Sequence, residues 1–327
     1  MKRSLLIVCM MLCTGVVKLY AQQDAQFSQY MFNGLYINPA YAGYREQWNI
    51  NMFYRNQWTG FPGAPKTFSL AADGIANDNR VGLGVQIMND KIGAQENTSF
   101  YGNYAYRIPL NDEGSQTLAL GIGAGFLQQR LNINALHDEN ETLPTEDLAL
   151  INAKKTAIMP DARFGVFYNS DRFYTGLSVD NLITDVFRKN QVLRNYIPMK
   201  PHMYFTMGGL VPLSEEILFK PSLLIKEDFA GPTSLDLNAF FLLDQKVWLG
   251  ASYRTAVLNR SNIDKSLTKS GAVAGMIEVF VNDKLRIGYA YDQTINGTAA
   301  NNYSTHEISL NYFFNNPRAR MLSPRYF

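Results

Sequence analysis

The chain contains 327 residues, of which 46% are hydrophobic, 13% are aromatic and only 18% are charged. Soluble domains usually carry about 25% charged residues, so this composition points away from an ordinary soluble protein. The net charge of +2 is too small to indicate nucleic-acid binding. The length accommodates one large β domain or two ordinary ones, and the abundance of Tyr, Phe and Gly favours β structure over helices.

The first 21 residues have the features of a cleaved secretory signal. Lys2 and Arg3 form a positive region, Ser4–Val17 is apolar, and Ala21 precedes a plausible cleavage point. The apolar stretch is too short to span a bilayer securely. We therefore expect residues 1–21 to be removed on export.

Both cysteines, Cys9 and Cys13, lie within this predicted signal. The mature chain is then expected to have no disulfide, no thiolate metal site and no cysteine nucleophile. No later stretch of the sequence approaches the ~18 apolar residues of a transmembrane helix. Two classes of exported protein remain open: a soluble β protein, and an outer-membrane β-barrel whose strands are individually weak signals.

Residues 22–46 form an unusual aromatic segment between the signal and the first strand. Its core, Asp24–Gly43, reads DAQFSQYMFNGLYINPAYAG and carries a single charge. Pro39 cannot donate to a sheet ladder and pushes the preceding residue to extended geometry, which argues against a regular strand or helix. Because solvated tails rarely carry so many aromatics, we predict an ordered plug or periplasmic contact segment; a flexible tail is the alternative. The residues expected to make its contacts are Gln26, Phe27, Ser28, Gln29, Tyr30, Asn38, Pro39, Ala40, Tyr41 and Gly43.

Period-two alternation of apolar and polar residues recurs from residue 47 to residue 314. From 81 to 87, for example, the odd-numbered residues are branched aliphatics and the even-numbered ones are glycine or glutamine. The pattern predicts about fourteen strands. They are Gln47–Asn56, Lys66–Gly74, Arg80–Asn89, Ser99–Ile108, Thr117–Leu131, Asp161–Asn169, Arg172–Asp180, His202–Pro212, Ile217–Lys226, Ser234–Leu243, Lys246–Arg254, Ala272–Val281, Lys284–Asp292 and Thr305–Phe314.

The predicted connections alternate in length along the chain. Those after the even-numbered strands are tight: Ile75–Asn79, Pro109–Gln116, Ser170-Asp171, Leu213–Glu216, Asp244-Gln245 and Asn282-Asp283. Those after the odd-numbered strands are generally longer: Gln57–Pro65, Asp90–Thr98, Asn132–Pro160, Asn181–Pro201, Thr255–Gly271 and Gln293–Ser304. Short turns on one side and long loops on the other are typical of a transmembrane barrel, whereas a soluble sandwich has no reason to separate them.

The sequence therefore predicts an all-β fold, an antiparallel up-and-down outer-membrane barrel over residues 47–314. Tilted strands of about 9–11 residues cross a bilayer, and closure pairs every backbone group within the protein. An even strand number places both termini in the periplasm, together with the tail 315–327. Inward-facing glycines are expected to thin the wall and let strands bend. Aromatics expected at the membrane interfaces are Trp48, Tyr54, Tyr106, Tyr168, Tyr253, Tyr291 and Tyr312.

No residue pattern predicts catalysis, a metal site or a cofactor. The three histidines, His137, His202 and His306, are far apart and show no ligand spacing. The repeat Gly121-x-Gly123-x-Gly125 lies inside an alternating strand with no helix after it, which rejects a nucleotide loop. The acidic run His137–Glu141, with Glu146 and Asp147, could bind a cation, although such loop clusters are more often simply solvated.

Two motifs resemble segments of a known family. Gln26–Asn33, reading QFSQYMFN, and Asn38–Gly43, reading NPAYAG, resemble the N-terminal signature of the PorP/SprF family, outer-membrane proteins of the type IX secretion system of Bacteroidetes. Tyr174–Ser178 with Asn181-Leu182 resembles a second, less specific segment of that family. One departure is Gly34, where the family pattern has proline; we expect it only to loosen the turn.

The resemblance implies an integral outer-membrane barrel that works with the type IX export apparatus. Family members assist export or surface attachment of large cargo proteins, including gliding adhesins, by engaging their C-terminal domains. Some also join periplasmic, peptidoglycan-linked components. On this basis the long loops Asn132–Pro160 and Asn181–Pro201 are expected to meet cargo, and residues 24–43 and the tail to fill the lumen or contact periplasmic partners.

Two other functions stay open at the level of sequence. A barrel of about fourteen strands is wide enough to hold a water-filled lumen, so a diffusive channel or nutrient transporter is the main alternative. An outer-membrane enzyme such as a lipase would need a nucleophile and a base that converge in the structure.

Overall fold

The computed structural model describes residues 27–76, 79–131, 156–184, 199–229, 231–258, 271–295 and 303–314. The predicted signal 1–21, Gln26, the acidic run 137–141 and the tail 315–327 lie outside these residues. Three single-turn 3-10 helices, Tyr30–Phe32, Gly34–Tyr36 and Pro39–Tyr41, precede the first strand. Within the described ranges, no helix is both long and apolar enough to span a bilayer.

The remainder of the described chain is a single closed antiparallel sheet. Its strands are β1 (Asn49–Asn56), β2 (Lys66–Ala76), β3 (Val81–Ile92), β4 (Gln95–Pro109), β5 (Thr117–Leu131), β6 (Thr156–Asn169), β7 (Phe173–Asp180), β8 (His202–Gly209), β9 (Val211–Pro212), β10 (Ile217–Glu227), β11 (Thr233–Leu243), β12 (Val247–Leu258), β13 (Ala272–Phe280), β14 (Leu285–Thr294) and β15 (Ser304–Phe313).

The strands are neighbours in chain order around the ring. Both β8 and β9 pair with β10, so these two pieces form one barrel strand interrupted at Leu210. Because β1 pairs with β15 as well as with β2, the ring closes at its ends. The result is the predicted fourteen-stranded antiparallel barrel.

The outer wall of the barrel is apolar. Leu83, Ile122 and Leu249 are 39%, 59% and 42% exposed, whereas two packed sheets would have buried them. Large hydrophobic side chains are similarly exposed on strands all around the barrel. Many inward positions carry small or polar residues instead, as in β1, where Asn49, Asn51 and Arg55 are buried on the same face as Phe53. An apolar outer surface around a more polar interior is typical of a β-barrel that is surrounded by lipid.

Connections are generally longer on one rim of the barrel than on the other, and one predicted loop is wrong. On the rim where β1 begins and β15 ends, the connections span 77–80, 110–116, 170–172, 213–216, 244–246 and 281–284. On the other side, the predicted loop Asp90–Thr98 is wrong, because β3 and β4 continue upward and meet at a two-residue turn, Gly93-Ala94. Gly93 has a φ of +57°, which glycine adopts without steric cost.

A second boundary also differs from the prediction. β6 begins at Thr156, so residues 156–160 of the predicted loop Asn132–Pro160 are strand. Pro160 was predicted to lie in a loop because proline has no backbone N–H to donate to the hydrogen-bond ladder of a sheet. It is tolerated here because it lies beyond Phe164, the last residue of β6 that pairs with β7.

The lipid-facing wall gives a first prediction. Ile122 lies at the middle of the outward row of β5, which runs from Leu118 to Phe126. We expect Ile122→Lys to lower the free energy of unfolding by about 2–4 kcal/mol, because the ammonium would enter the bilayer midplane. Urea titration of the protein folded into phospholipid vesicles measures this.

The matched control is Gln128→Lys, on the same strand and the same face but above the apolar row. This change should cost about 0–1 kcal/mol, since the charge stays near the interface. Equal effects at the two positions would contradict a lipid-facing wall.

Candidate functional site

The candidate site is the interior of the barrel, which contains residues 27–47, hereafter the lumenal segment. Its side chains are buried along most of its length, including Phe32 and Leu35, which are 1% and 0% exposed. It contacts opposite sides of the ring, with β15 on one side and β6 and β7 on the other. The segment thus crosses the lumen.

The N-terminal end of the segment is held by one carboxylate on β15. The backbone N–H groups of Ser28 and Gln29 donate to the two oxygens of Glu307, at 2.8 and 2.9 Å. The Gln29 side chain donates to the Glu307 carbonyl, and Ser309 donates to Gln29 Oε1 at 2.8 Å. Charge-assisted bonds of this kind are about twice as strong as neutral ones.

A charge cluster surrounds this anchor. The Arg55 guanidinium contacts Asp292 at 2.7 Å and Glu307 at 2.9 Å, and all three side chains are nearly inaccessible. Ser28 lies within the cluster, because it accepts from Arg55 and donates to Asp292. One guanidinium faces two carboxylates, so the N–H and O–H groups of the lumenal segment supply the remaining stabilisation of negative charge.

Aromatic contacts hold the next turns of the lumenal segment in place. Phe27 meets Tyr36 edge to face at 4.8 Å between ring centroids, and Phe32 meets Phe240 of β11 at 5.5 Å. The Tyr30 hydroxyl accepts a bond from Asn238 at 2.6 Å. Burial raises the pKa of Tyr30 well above its usual value, so this hydroxyl stays neutral at physiological pH.

Asn38 joins the segment to the opposite wall. Its side-chain oxygen accepts from the Ala40 N–H at 2.8 Å and caps the turn Pro39–Tyr41. Its amide nitrogen donates to the carbonyls of Val166 on β6 and Leu177 on β7, at 3.0 and 3.4 Å. One side chain therefore fixes the local turn and its position against two strands.

The inward-facing glycines make this approach possible. A Cβ atom at Gly121 would meet the backbone of Pro39 and Ala40, and one at Gly82 would meet the Ala42 carbonyl. A Cβ at Gly165 would meet the Asn38 side chain. These glycines, predicted from the sequence to thin and bend the wall, also provide the space into which the segment Asn38–Gly43 packs.

The second motif singled out in the sequence lies against the first. Ser178 donates to the Ile37 carbonyl at 2.7 Å, and Gly176 leaves room for the Asn38 amide. The Tyr174 ring stacks on Phe167, at 5.8 Å between ring centroids, beside Tyr44. The motif Tyr174–Ser178 is therefore part of the wall that receives the lumenal segment.

The C-terminal end of the segment is tied to the sheet by further polar contacts. The Gly43 N–H donates to Asp73 of β2 at 3.0 Å. Within the segment itself, the Arg45 guanidinium donates to the Phe32 carbonyl at 2.7 Å. Glu46 pairs with Arg107 of β4 at 3.0 Å. Gly34 lies directly beneath the Tyr41 ring, with no room for a Cβ atom, so this glycine does more than loosen a turn.

Nine of the ten predicted contact residues are described, and all nine are buried. Their partners, above all Glu307, Arg55 and Ser178, were not predicted from the sequence. The polar, inward face of each of these strands was readable from the alternation. No sequence signal indicates which of the many inward polar residues receives the segment.

The described residues contain no group of three His, Cys, Asp or Glu side chains placed to hold a metal ion. The buried cluster of Arg55, Asp292 and Glu307 is occupied by its own ion pairs and by the segment's backbone. Its chemistry is that of an anchor, because every charged group in it already has a protein partner.

These features define the class of the protein: an outer-membrane β-barrel, with a closed antiparallel sheet, an apolar outer wall and a polar interior. The chain belongs to the family described as type IX secretion system membrane protein PorP/SprF, whose model matches residues 19–312. That family consists of secretion-system barrels and is not a family of enzymes. No curated protein matches the sequence.

The chain is similar to several solved structures at low sequence identity. Omp33 of Acinetobacter baumannii is 9% identical, with a TM-score of 0.46 over 82% of this chain and 98% of its own. A TodX monoaromatic hydrocarbon channel mutant is 10% identical, with a TM-score of 0.48 over 89% of this chain and 95% of its own. The CymD monoaromatic hydrocarbon channel is 11% identical, with a TM-score of 0.46 over 88% and 93%.

The double role of Asn38 gives a second prediction. Asn38→Asp keeps the shape and the oxygen that caps the Ala40 N–H, but it replaces the donor to Val166 and Leu177 by a buried anion facing two carbonyls. We expect Asn38→Asp to destabilise the protein more than Asn38→Ala, which should cost about 1–3 kcal/mol. Urea titration in vesicles at pH 7 ranks the two variants.

Proposed function

We propose that this chain is a non-enzymatic barrel of the type IX secretion system that assists export or surface anchoring of cargo proteins, such as gliding adhesins, by binding their C-terminal domains. The observation that supports the proposal is the docking of the family signature Asn38–Gly43 inside the barrel, on glycines of β3, β5 and β6. A lumen occupied by a fixed segment suits an anchor or adaptor better than a pore.

The lumenal segment acts as a plug in this proposal. It is held at Glu307 on one side and at Val166, Leu177 and Ser178 on the other. A diffusive channel would need this path to be open. Single-channel conductance in planar bilayers separates the two functions, because a plugged anchor should be nearly silent and a channel should conduct.

The barrel would bind the cargo on the rim with the longer loops, which is extracellular in outer-membrane barrels. The proposed contact regions are the loops predicted at Asn132–Pro160 and Asn181–Pro201, most of which lie outside the described residues. The short turns, together with the tail 315–327, would face periplasmic components such as a peptidoglycan-binding protein. Residues 1–21 would direct export and be removed.

The test uses surface display of a reporter fused to a cargo C-terminal domain. Replacing residues 185–198 by a Gly-Ser linker of equal length should abolish display while the barrel remains in the outer membrane. The same replacement of 111–115, in a turn on the opposite rim, should leave cargo display intact. Normal display by the 185–198 variant would contradict the proposed cargo surface.

Deleting residues 24–43 is a second test of the same proposal. The deletion should also abolish display, but it removes the partners of Glu307 and Asn238, so its amount in the membrane must be measured first. A deletion variant that accumulates normally and still displays cargo would contradict a functional role of the segment.

A further inference from the structure

A row of charged residues crosses the outer face of β2, β3, β4 and β5 near their loop-side ends. Lys66 lies opposite Lys91, Lys91 lies opposite Glu96, and Glu96 lies opposite Arg130. Lys66, Lys91 and Arg130 are exposed, and all four residues share the parity of the lipid-facing positions on their strands. We call these four residues the outer basic row.

The row is electrostatically uncompensated among its own members. Two lysines directly opposite each other on one sheet face repel and destabilise the pair. Glu96 is the single carboxylate among three cations, and it also accepts a bond from Asn89 at 2.9 Å. Asp90, which precedes Lys91 in the chain, faces the interior and accepts from Thr67 at 2.7 Å. An external anion between the basic side chains would relieve this repulsion.

The wall changes in regular tiers below the row. One tier further into the membrane, about 6–7 Å along each strand, lie the amide and hydroxyl side chains of Asn89, Thr98 and Gln128, with Phe68 of β2 opposite Asn89. The next tier is apolar, with Ile87, Phe100 and Phe126 about two-fifths exposed and the two phenylalanine rings stacked at 5.6 Å. Charge, hydrogen-bonding groups and apolar surface thus follow one another within one face.

We propose that this face binds a phosphorylated glycolipid of the outer leaflet. Its phosphate would lie on Lys66, Lys91 and Arg130, its sugar and acyl linkages on the amide and hydroxyl tier, and its acyl chains along Phe100 and Phe126. Basic side chains at a membrane surface attract anionic lipids. The apolar tier favours a lipid over a free anion, and the position on the bilayer-facing wall favours a lipid over an acidic protein.

Lipid A binding to the purified mature protein in neutral detergent tests the proposal. Lys66→Gln/Lys91→Gln should weaken binding roughly tenfold or more, because two of the three cations are lost. The matched control is Lys246→Gln/Lys284→Gln, which removes two exposed lysines at the opposite rim and should leave the affinity within about twofold. Circular dichroism confirms that both double variants keep their β structure.

Two further arms distinguish the ligand source. Dephosphorylated lipid A should bind wild type as weakly as lipid A binds the Lys66→Gln/Lys91→Gln variant, and Phe126→Ser should weaken lipid A binding. The proposal is overturned if the Lys66→Gln/Lys91→Gln variant binds lipid A as tightly as wild type does. It is also overturned if wild type binds dephosphorylated lipid A as tightly as it binds lipid A. Competition by inorganic phosphate at equal concentration would also overturn it, because the site would then recognise a free anion.

Discussion

Replacing Gly121 by valine is expected to expel the lumenal segment from its place against the barrel wall. A Cβ atom at this position would lie 2.5 Å from the carbonyl carbon of Pro39 and closer still to the backbone of Ala40. Backbone atoms cannot rotate away as a side chain can, so the segment must move. Overpacking usually costs about 1–3 kcal/mol, and the cost here should lie at or above the upper end of that range. Loss of docking should appear as protease cleavage within residues 27–47 and as a rise in single-channel conductance.

The matched control is Gly275→Val. Gly275 lies on the outer face of β13, and a Cβ atom there would meet nothing within 4 Å. The same substitution at this position should leave protease resistance and conductance unchanged. A Gly121→Val protein that resists protease and stays silent would contradict the inference that close backbone packing holds the segment.

The membrane-facing half of the structure could be predicted from the sequence because lipid imposes a simple rule. Outward positions within the hydrocarbon layer must be apolar, so apolar residues such as Leu83, Ile122 and Leu249 occupy alternate positions of their strands. Closure then follows from the need to pair every backbone group. Strand number and neighbour order required no knowledge of individual contacts.

Strand ends were harder to predict above the membrane. In β3 and β4, Asp90 pairs with Asn97 and Lys91 with Glu96, although this polar stretch reads as a loop. Outside the hydrocarbon layer both faces of a strand can be polar, so the alternation that marks a strand disappears. Cross-strand pairing and the Gly93-Ala94 turn then decide where the strands end.

The sequence predicts which residues of each strand face the interior, but it does not predict which of them contact one another. Arg55, Asp292 and Glu307 all occupy polar positions of alternating strands, but they come together only because β1, β14 and β15 are neighbours at the closure of the ring. The inward glycines could be recognised in the sequence, but the segment that packs against them could not. In the structure they make room for the backbone of Asn38–Gly43.

Replacing Glu307 by alanine is expected to lower the free energy of unfolding by about 3–5 kcal/mol, the range measured when one partner of a buried ion pair is removed. The change leaves Arg55 with Asp292 alone and takes away the acceptors of the Ser28 and Gln29 N–H groups. Glu307→Gln keeps one acceptor oxygen and should fall between wild type and Glu307→Ala. Urea titration in vesicles gives the energies, and proteolysis of the N-terminal segment reports its release.

A double-mutant cycle with Arg55→Met identifies the cause of that loss. Arg55 and Glu307 share one cluster, so the double variant should lose less than the sum of the single losses, by about 0.5–3 kcal/mol. Glu215→Ala, in an exposed turn, should stay within about 0.5 kcal/mol of wild type. Strict additivity of Arg55→Met and Glu307→Ala would show that the two side chains act independently. The anchoring of the lumenal segment would then rest on its backbone bonds and close packing alone, because the ion pair would contribute nothing to it.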